Sequence, residues 1–191
     1  IERPDGVVTT YAYTLDAQGS VIQTDVTRGG IIRRYDPYGR RFQIEDQNGS
    51  KTNYDPATQA ILSIEEADGT YLDHLRFDMS TGELLDMDML TPDKNKKIYR
   101  DKKLVGAVFS DGTRVEYSET GDIEKYTTPD GRPFDVSHSL DPQGNQITTI
   151  TNDLKNETQI YRNGLLIQKK DNLNVTTDYT YDGEGRVQRT V

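Results

Sequence analysis

The chain has 191 residues, a net charge of −9 and a pI of about 4.7, and it contains no cysteine. The acidic balance excludes nucleic acid as an expected partner, because binding to phosphates requires a basic surface. The lack of cysteine excludes disulfides, thiolate catalysis and cysteine-ligated zinc. No apolar run reaches membrane-spanning length, so we expect no membrane insertion.

Turn signals recur along the whole chain and divide it into short segments. One kind ends in Asn-Gly or Asp-Gly, which is typical of tight hairpin turns. It stands at 48–49, 68–69, 111–112 and 130–131. The other kind is Asp-x-x-Gly, in which Asp bonds the turn amides and Gly takes a positive φ. It stands at 16–19, 36–39, 141–144 and 182–185, so each kind returns as in a tandem repeat.

The segments between the turns have the composition of β-strands. They are rich in β-branched and aromatic residues, and polar and apolar residues alternate within them. Typical predicted strands cover 21–26, 60–64, 104–109 and 174–179. Residues 83–90 alternate aspartate and methionine in their second half, which favours a strand over a helix. Met87 and Met89 are expected to fill a gap in the core.

The stretch 91–103 is the least regular part of the chain and the most basic. We expect a bend, an insertion or a degenerate repeat there. Its basic residues are a candidate site for an acidic glycan or another anionic partner, and a solvated hairpin tip is the alternative. These residues are Lys94, Lys96, Lys97, Arg100, Lys102 and Lys103.

Together these elements predict an all-β fold, built as a tandem up-and-down meander of β-hairpins. We expect about 18 short antiparallel strands in about nine repeats of roughly 20 residues, forming a single domain over 1–191. A strongly twisted open sheet rarely exceeds ~10 strands without curling. The meander is therefore expected to coil into a ribbon or the wall of a shell.

One motif connects the chain with a known family. Tyr-Asp-x-x-Gly-Arg occurs at 35–40 and at 181–186, and a further Tyr-Asp pair stands at 54–55. This tandem pattern resembles the YD-repeat, or Rhs-repeat, family, and the resemblance covers essentially the whole chain. The motif residues are Tyr35, Asp36, Gly39, Arg40, Tyr54, Asp55, Tyr181, Asp182, Gly185 and Arg186.

Each residue of the motif has an expected structural role. The tyrosine ends a strand and can stack on the equivalent tyrosine of a neighbouring hairpin. The aspartate accepts hydrogen bonds from the turn amides. The arginine can pair with an aspartate of the same or the adjacent repeat. None of these roles is catalytic.

The resemblance implies a shell-forming meander of the kind found in bacterial Rhs proteins, C subunits of insecticidal toxin complexes, wall-associated YD-repeat proteins and teneurins. It also implies a secreted or cell-surface location in bacteria, often with an enclosed toxin. We expect a non-catalytic structural scaffold or shell segment whose partners are the neighbouring repeats of a larger protein. Two alternatives stay open: a module that binds glycans or a cell surface, and a fibre or sheath subunit that pairs with identical copies through edge strands.

Residues with catalytic or metal-binding chemistry are present, but no pattern organises them. Some Rhs proteins carry an aspartyl self-protease with paired Asp-Pro-x-Gly motifs, and Asp36 and Asp55 stand in similar turns, although the second lacks its glycine. His74 and His138 have no nucleophile motif beside them. No carboxylate pair is marked for glycoside hydrolysis, and residues 46–49 resemble only a fragment of a calcium loop. We therefore expect no enzymatic activity, no cofactor and no bound metal.

Overall fold

A computed structural model describes residues 6–190, and this part of the chain consists of β-strands joined by short turns, without a helix. The described residues therefore contain no helix that could cross a membrane. The chain divides into two compact units, 1–102 and 103–191. Within each unit the strands pair antiparallel in chain order, which confirms the all-β hairpin meander and its 18 strands.

Unit 1 holds the first nine strands and unit 2 the remaining nine. The strands of unit 1 are β1 (Thr9–Leu15), β2 (Val21–Arg28), β3 (Ile31–Tyr35), β4 (Arg41–Glu45), β5 (Lys51–Tyr54), β6 (Ile61–Glu65), β7 (Tyr71–Phe77), β8 (Leu84–Leu90) and β9 (Lys96–Arg100). The strands of unit 2 are β10 (Lys103–Val108), β11 (Arg114–Tyr117), β12 (Ile123–Thr127), β13 (Pro133–Leu140), β14 (Gln146–Asn152), β15 (Glu157–Arg162), β16 (Leu165–Lys170), β17 (Thr176–Tyr181) and β18 (Val187–Thr190).

The predicted strands are found with ends that differ by one or two residues. Residues 83–90 contain β8 and not a helix, as their alternation indicated. The stretch 91–103 forms a turn around Lys94, the strand β9, and a two-residue turn at Asp101 and Lys102, whose φ angles are +47° and +65°. The prediction of a single domain over 1–191 stays a prediction, and the border between the units falls inside this stretch.

The Asn48-Gly49 turn differs from the two-residue type I′ turn that an Asn-Gly pair favours in hairpins. It is closed by Gly49 N–H donating to Asp46 O at 3.2 Å and by Asp46 N–H donating to Ser50 O at 2.9 Å, the same pattern as in the 36–40 turn. Of its two central residues only Gly49 has a positive φ, +91°, whereas a type I′ turn requires both. Asp46 explains the difference, because its carboxylate accepts the amides of Asn48 and Ser50 and so holds the longer turn.

This geometry predicts unequal effects of alanine at the two turn positions. Gly49→Ala is expected to cost about 1 kcal/mol of unfolding free energy, because an L-residue is strained at this φ. Asn48→Ala should change it by less than about 0.5 kcal/mol, because Asn48 is not left-handed and its backbone amide keeps its bond to Asp46. Urea unfolding of both variants measures the difference. Equal losses would point to the type I′ turn.

Little of the described chain is buried. The buried apolar side chains among residues 6–188 are Ala107 and Val115, both in unit 2, and the buried polar ones are Ser63, Asp88 and Asn152. Met87 and Met89 are only half-buried, so the aspartate between them, and not the methionines, is the enclosed residue of β8. Among the described residues of unit 1, polar groups thus occupy the most enclosed positions.

Candidate functional site

A line of polar residues crosses five strands of unit 1 on one face of the sheet. The residues directly opposite each other on β2 to β6 are Asp25, Arg34, Gln43, Asn53 and Ser63. We call this line the polar ladder. Directly opposed residues share a face of the sheet, so their side chains can interact in sequence.

Hydrogen bonds and ion pairs connect the polar ladder from strand to strand. Arg34 Nε lies 3.5 Å from an Asp25 carboxylate oxygen, and the Arg34 guanidinium also donates to the Gln43 side chain. Gln43 donates to Asn53 at 2.7 Å, and Asn53 donates to Ser63 at 2.9 Å. Every link is a polar contact between neighbouring strands, and none forms a nucleophile with a base.

The Asp36 turn has the bonds expected for the Tyr-Asp motif. The Asp36 carboxylate accepts the amides of Tyr38 and Arg40 at 2.9 and 2.8 Å, and Arg40 Nε donates to it at 2.7 Å. Desolvation raises the pKa of the Asp36 carboxyl, but the bonds from Arg40 and Tyr38 outweigh this and lower it. The aspartate is therefore held as an ionised turn cap.

The Asp182 turn, far along the chain, repeats this construction. Its carboxylate accepts the amides of Glu184 and Arg186 at 2.9 Å each, and Arg186 Nε donates to it at 2.8 Å. Its pKa is lowered by the backbone bond from Arg186 above all. The pairing of the motif arginine with the aspartate of its own turn is thus found in both complete copies of the motif.

The motif tyrosines end strands as expected, but none of them stacks on another tyrosine within the described residues. They are Tyr35, Tyr54 and Tyr181. The stacked ring pair of the described chain is Tyr126 with Phe134, at 4.7 Å between centroids. Tyr54 instead packs under the guanidinium of Arg41, whose central carbon lies 4.1 Å from the ring centroid. A cation on a neighbouring strand therefore takes the place that we expected for a second tyrosine.

Asp36 and Asp55 do not have the properties of an acid–base pair. Asp55 accepts the amides of Ala57 and Thr58 at 2.8 and 2.7 Å, and these bonds, that of Thr58 first, lower its pKa. A pair that shares a proton requires one carboxyl with a raised pKa. Both carboxyls are instead stabilised in the ionised form by their own turns.

A hollow of about 570 Å³ lies between the 36–40 turn and the 55–59 turn. Its lining residues are Tyr35, Gly39, Arg40, Arg41, Pro56, Ala57 and Gln59. The Gln59 side chain donates to Arg41 O at 2.9 Å and so ties the second turn to β4. This hollow, which we call the Arg41 hollow, joins a cation to apolar and aromatic walls.

A second cluster surrounds Asp88, which is 6% exposed. Asp88 lies opposite Ile98 on β9, and strand alternation places Lys96 and Arg100 on the same face as Ile98. The carboxylate therefore lies between the two cations, with Lys96 Nζ and Arg100 Nη1 each 2.8 Å from one of its oxygens. Desolvation raises the pKa of Asp88, but hydrogen bonds from Lys96 and Arg100 outweigh it, so the pKa is lowered.

His74 and Asp73 complete this cluster from β7. His74 Nδ1 lies 2.9 Å from an Asp73 oxygen and 3.5 Å from an Asp88 oxygen, and the ligand atoms of all three residues lie within 4.8 Å of one another. Such a set has ligand types suited to a metal ion. Both oxygens of Asp88 already hold a cationic side chain, however, so a metal ion would have to displace Lys96 or Arg100.

The predicted basic site is divided by these contacts. Lys96 and Arg100 pair with Asp88, and Lys102 pairs with Glu83. The remaining members of the set are exposed and are Lys94, Lys97 and Lys103. Lys97 lies opposite Met89, on the face away from Asp88. Anion binding by the six residues stays a prediction, and the carboxylate partner of two of them was not identified from the sequence.

His138, in unit 2, lines a hollow of about 420 Å³. Its Nδ1 lies 3.1 Å from Thr148 Oγ1, and its Nε2 lies 3.1 Å from Ile123 O. Since a carbonyl can only accept, Nε2 carries the proton and Nδ1 accepts from the hydroxyl. Both ring nitrogens are thus used in cross-strand bonds, which is a structural arrangement.

Comparisons with known proteins find matches among solved structures. No protein-family model matches the chain, and no curated protein matches it. Among solved structures, the wild-type TCP10 domain of Danio rerio CPAP in complex with a STIL peptide aligns over 100% of this chain and 97% of its own, at 14% identity and a TM-score of 0.47. The CPAP G-box domain aligns over 95% of this chain and 98% of its own, at 13% identity and a TM-score of 0.38.

Toxin-complex structures also align with the chain. A structure of TcdB2-TccC3 matches 95% of this chain at 14% identity and a TM-score of 0.28. The match spans only 13% of that much longer chain. TcdB2-TccC3-Cdc42 gives a TM-score of 0.26 over 96% of this chain.

Proposed function

We propose that the chain is a YD-repeat meander and serves as a non-catalytic structural scaffold of a larger bacterial protein that is secreted or exposed on the cell surface. The observation that supports this most is the identical bonding of Asp36 and Asp182 within their turns. Each hairpin closes with its own polar groups and pairs with its neighbours, as in a structure extended by repetition.

The polar ladder supports the same proposal. It joins five successive strands through side chains of unit 1, where no apolar residue of the described part is buried. Stability is therefore spread over many small, similar contacts between neighbouring strands. Such an arrangement suits a scaffold, because a segment can be added or removed without dismantling one central core.

Removal of one repeat tests the scaffold function. Deleting residues 36–54 joins Tyr35 directly to Asp55, which keeps a Tyr-Asp turn and brings Arg34 opposite Ser63 in the register of Asn53. We expect this variant to fold with a β-sheet circular dichroism spectrum and to unfold cooperatively at a slightly lower temperature. As a control, deleting 36–55 moves β3 by one further residue relative to β6, so that the side chains of β3 exchange the two faces of the sheet.

Loss of folding in the 36–54 deletion, to the same degree as in the 36–55 control, would contradict a tolerant repeat scaffold. Folding of the first variant alone would support it. If both deletion variants fold, the register between the strands contributes little to the stability of this part of unit 1.

A second candidate function is edge-to-edge assembly with identical copies. Among the described residues of unit 1, β1 has β2 as its partner strand, and one of its faces presents Tyr11, Tyr13 and Leu15, which are 49%, 61% and 54% exposed. An edge strand beside apolar side chains is a template for pairing with another chain. Electron microscopy over a concentration series should show filaments with the natural chain and isolated particles with Tyr13→Lys. Isolated particles at every concentration would rule out this candidate.

A further inference from the structure

The guanidinium of Arg41 has no anionic partner in residues 6–190, although most arginines there pair with a carboxylate. It forms no ion pair and donates no hydrogen bond within this part of the chain, and its Nε is enclosed without an acceptor. Its neighbour Arg40, by contrast, pairs with Asp36 at 2.7 Å. A partly buried charge without a counterion is unfavourable, and stacking on Tyr54 offsets only part of this.

The surroundings of Arg41 fit a small ligand. The Arg41 hollow is a shallow depression of about 570 Å³ that is open to solvent, so it can cover one side of a small molecule. Tyr35, Pro56 and Ala57 give it apolar walls. The carboxylates of Asp36 and Asp55 are bonded to their own turn amides.

We propose that the Arg41 hollow binds a small organic carboxylate with a flat, apolar body. A guanidinium offers two parallel N–H donors that match the two oxygens of a carboxylate. The apolar walls would cover the body of the ligand, and the ring of Tyr54 holds the guanidinium in place from below. This goes beyond the scaffold function, which requires no ligand, so either proposal can fail without the other.

Titration with benzoate and with its neutral isostere benzamide tests the charge requirement on the natural chain. Benzoate should shift the NMR signals of the Gly39, Ala57 and Gln59 amides with a Kd of about 1 mM, as expected for a fragment of this size. Benzamide should bind at least tenfold more weakly, because it is neutral and offers the guanidinium one acceptor oxygen instead of two. Acetate should also bind more weakly than benzoate, because it has no apolar ring that the walls of the hollow could cover.

Variants then locate the site. Arg41→Gln should weaken benzoate binding at least tenfold, and Arg41→Lys should weaken it by less. The matched control is Arg33→Gln on β3, since Arg33 lies opposite Ile44 and not in the hollow. No shift at these amides, equal binding of benzoate and benzamide, or an equal effect of Arg33→Gln would overturn the proposal. The comparison of the two ligands stands even if a variant fails to fold.

Discussion

Replacing Asp88 with alanine is expected to lower the free energy of unfolding by about 3 kcal/mol at pH 7. Asp88 is enclosed, and it holds Lys96 and Arg100 at 2.8 Å each. Without its carboxylate the two cations lose their shared counterion. Because 1 kcal/mol shifts the Tm of a domain of about 100 residues by roughly 4–8 °C, thermal unfolding followed by circular dichroism measures this effect.

The effect of Asp88 should depend on pH in a defined direction. Desolvation raises its pKa, but the hydrogen bonds from Lys96 and Arg100 lower it further, so its folded pKa lies below its unfolded one. A carboxyl of this kind contributes stability above its unfolded pKa of about 3.9 and loses that contribution as the pH falls through the folded pKa. The difference in Tm between the natural chain and Asp88→Ala should therefore be large at neutral pH and shrink in acid below this range.

Glu65→Ala is the matched control for Asp88→Ala within unit 1. Glu65 pairs with Lys51 at 3.4 Å, and its side chain is 46% exposed. An ion pair that is open to water contributes about 0–1 kcal/mol, so the variant should lose little stability. If both variants lose the same amount at pH 7, the Asp88 cluster does not act as a buried charge network.

Much of the fold could be predicted because it depends on local turn chemistry. The Asp-x-x-Gly turns give the strand limits to within one or two residues, and alternation separates β8 from a helix. The turn at Asn48-Gly49 is longer than a two-residue hairpin turn because of a residue outside the pair, since the Asp46 carboxylate accepts two of the turn amides. An Asn-Gly pair thus indicates the position of a turn, while the type of turn also depends on the residue two positions before the pair.

The candidate sites could be predicted only in part, because they depend on register. Asp88 lies between Lys96 and Arg100 only because it is opposite Ile98, and no local pattern contains that information. Irregular pairing adds to the difficulty: the register shifts between Arg34 and Tyr35, at the start of the turn. A single shift changes which side chains share a face.

Replacing Arg34 with methionine is expected to lower the free energy of unfolding by about 2 kcal/mol, because it removes the cation of the polar ladder. Arg34 lies 3.5 Å from Asp25 and 2.9 Å from Glu45, and its side chain is 20% exposed. Methionine keeps an apolar stem of similar length, so the loss reports mainly on charge and hydrogen bonding. Asp25 and Glu45 then lack their common partner, and Gln43 loses a donor. Urea unfolding followed by circular dichroism measures the change.

Arg33→Met provides the matched control, since it makes the same substitution one residue earlier in β3. Arg33 lies opposite Val26 and Ile44, on the face away from the polar ladder. It has no carboxylate partner within the described residues, so its replacement should change stability by no more than about 0.5 kcal/mol. A loss at Arg33 as large as at Arg34 would mean that arginine stems stabilise β3 by packing. A loss at Arg34 alone would mean that unit 1 is held together by polar contacts that pass from strand to strand, which is the property that lets such a meander be extended by repetition.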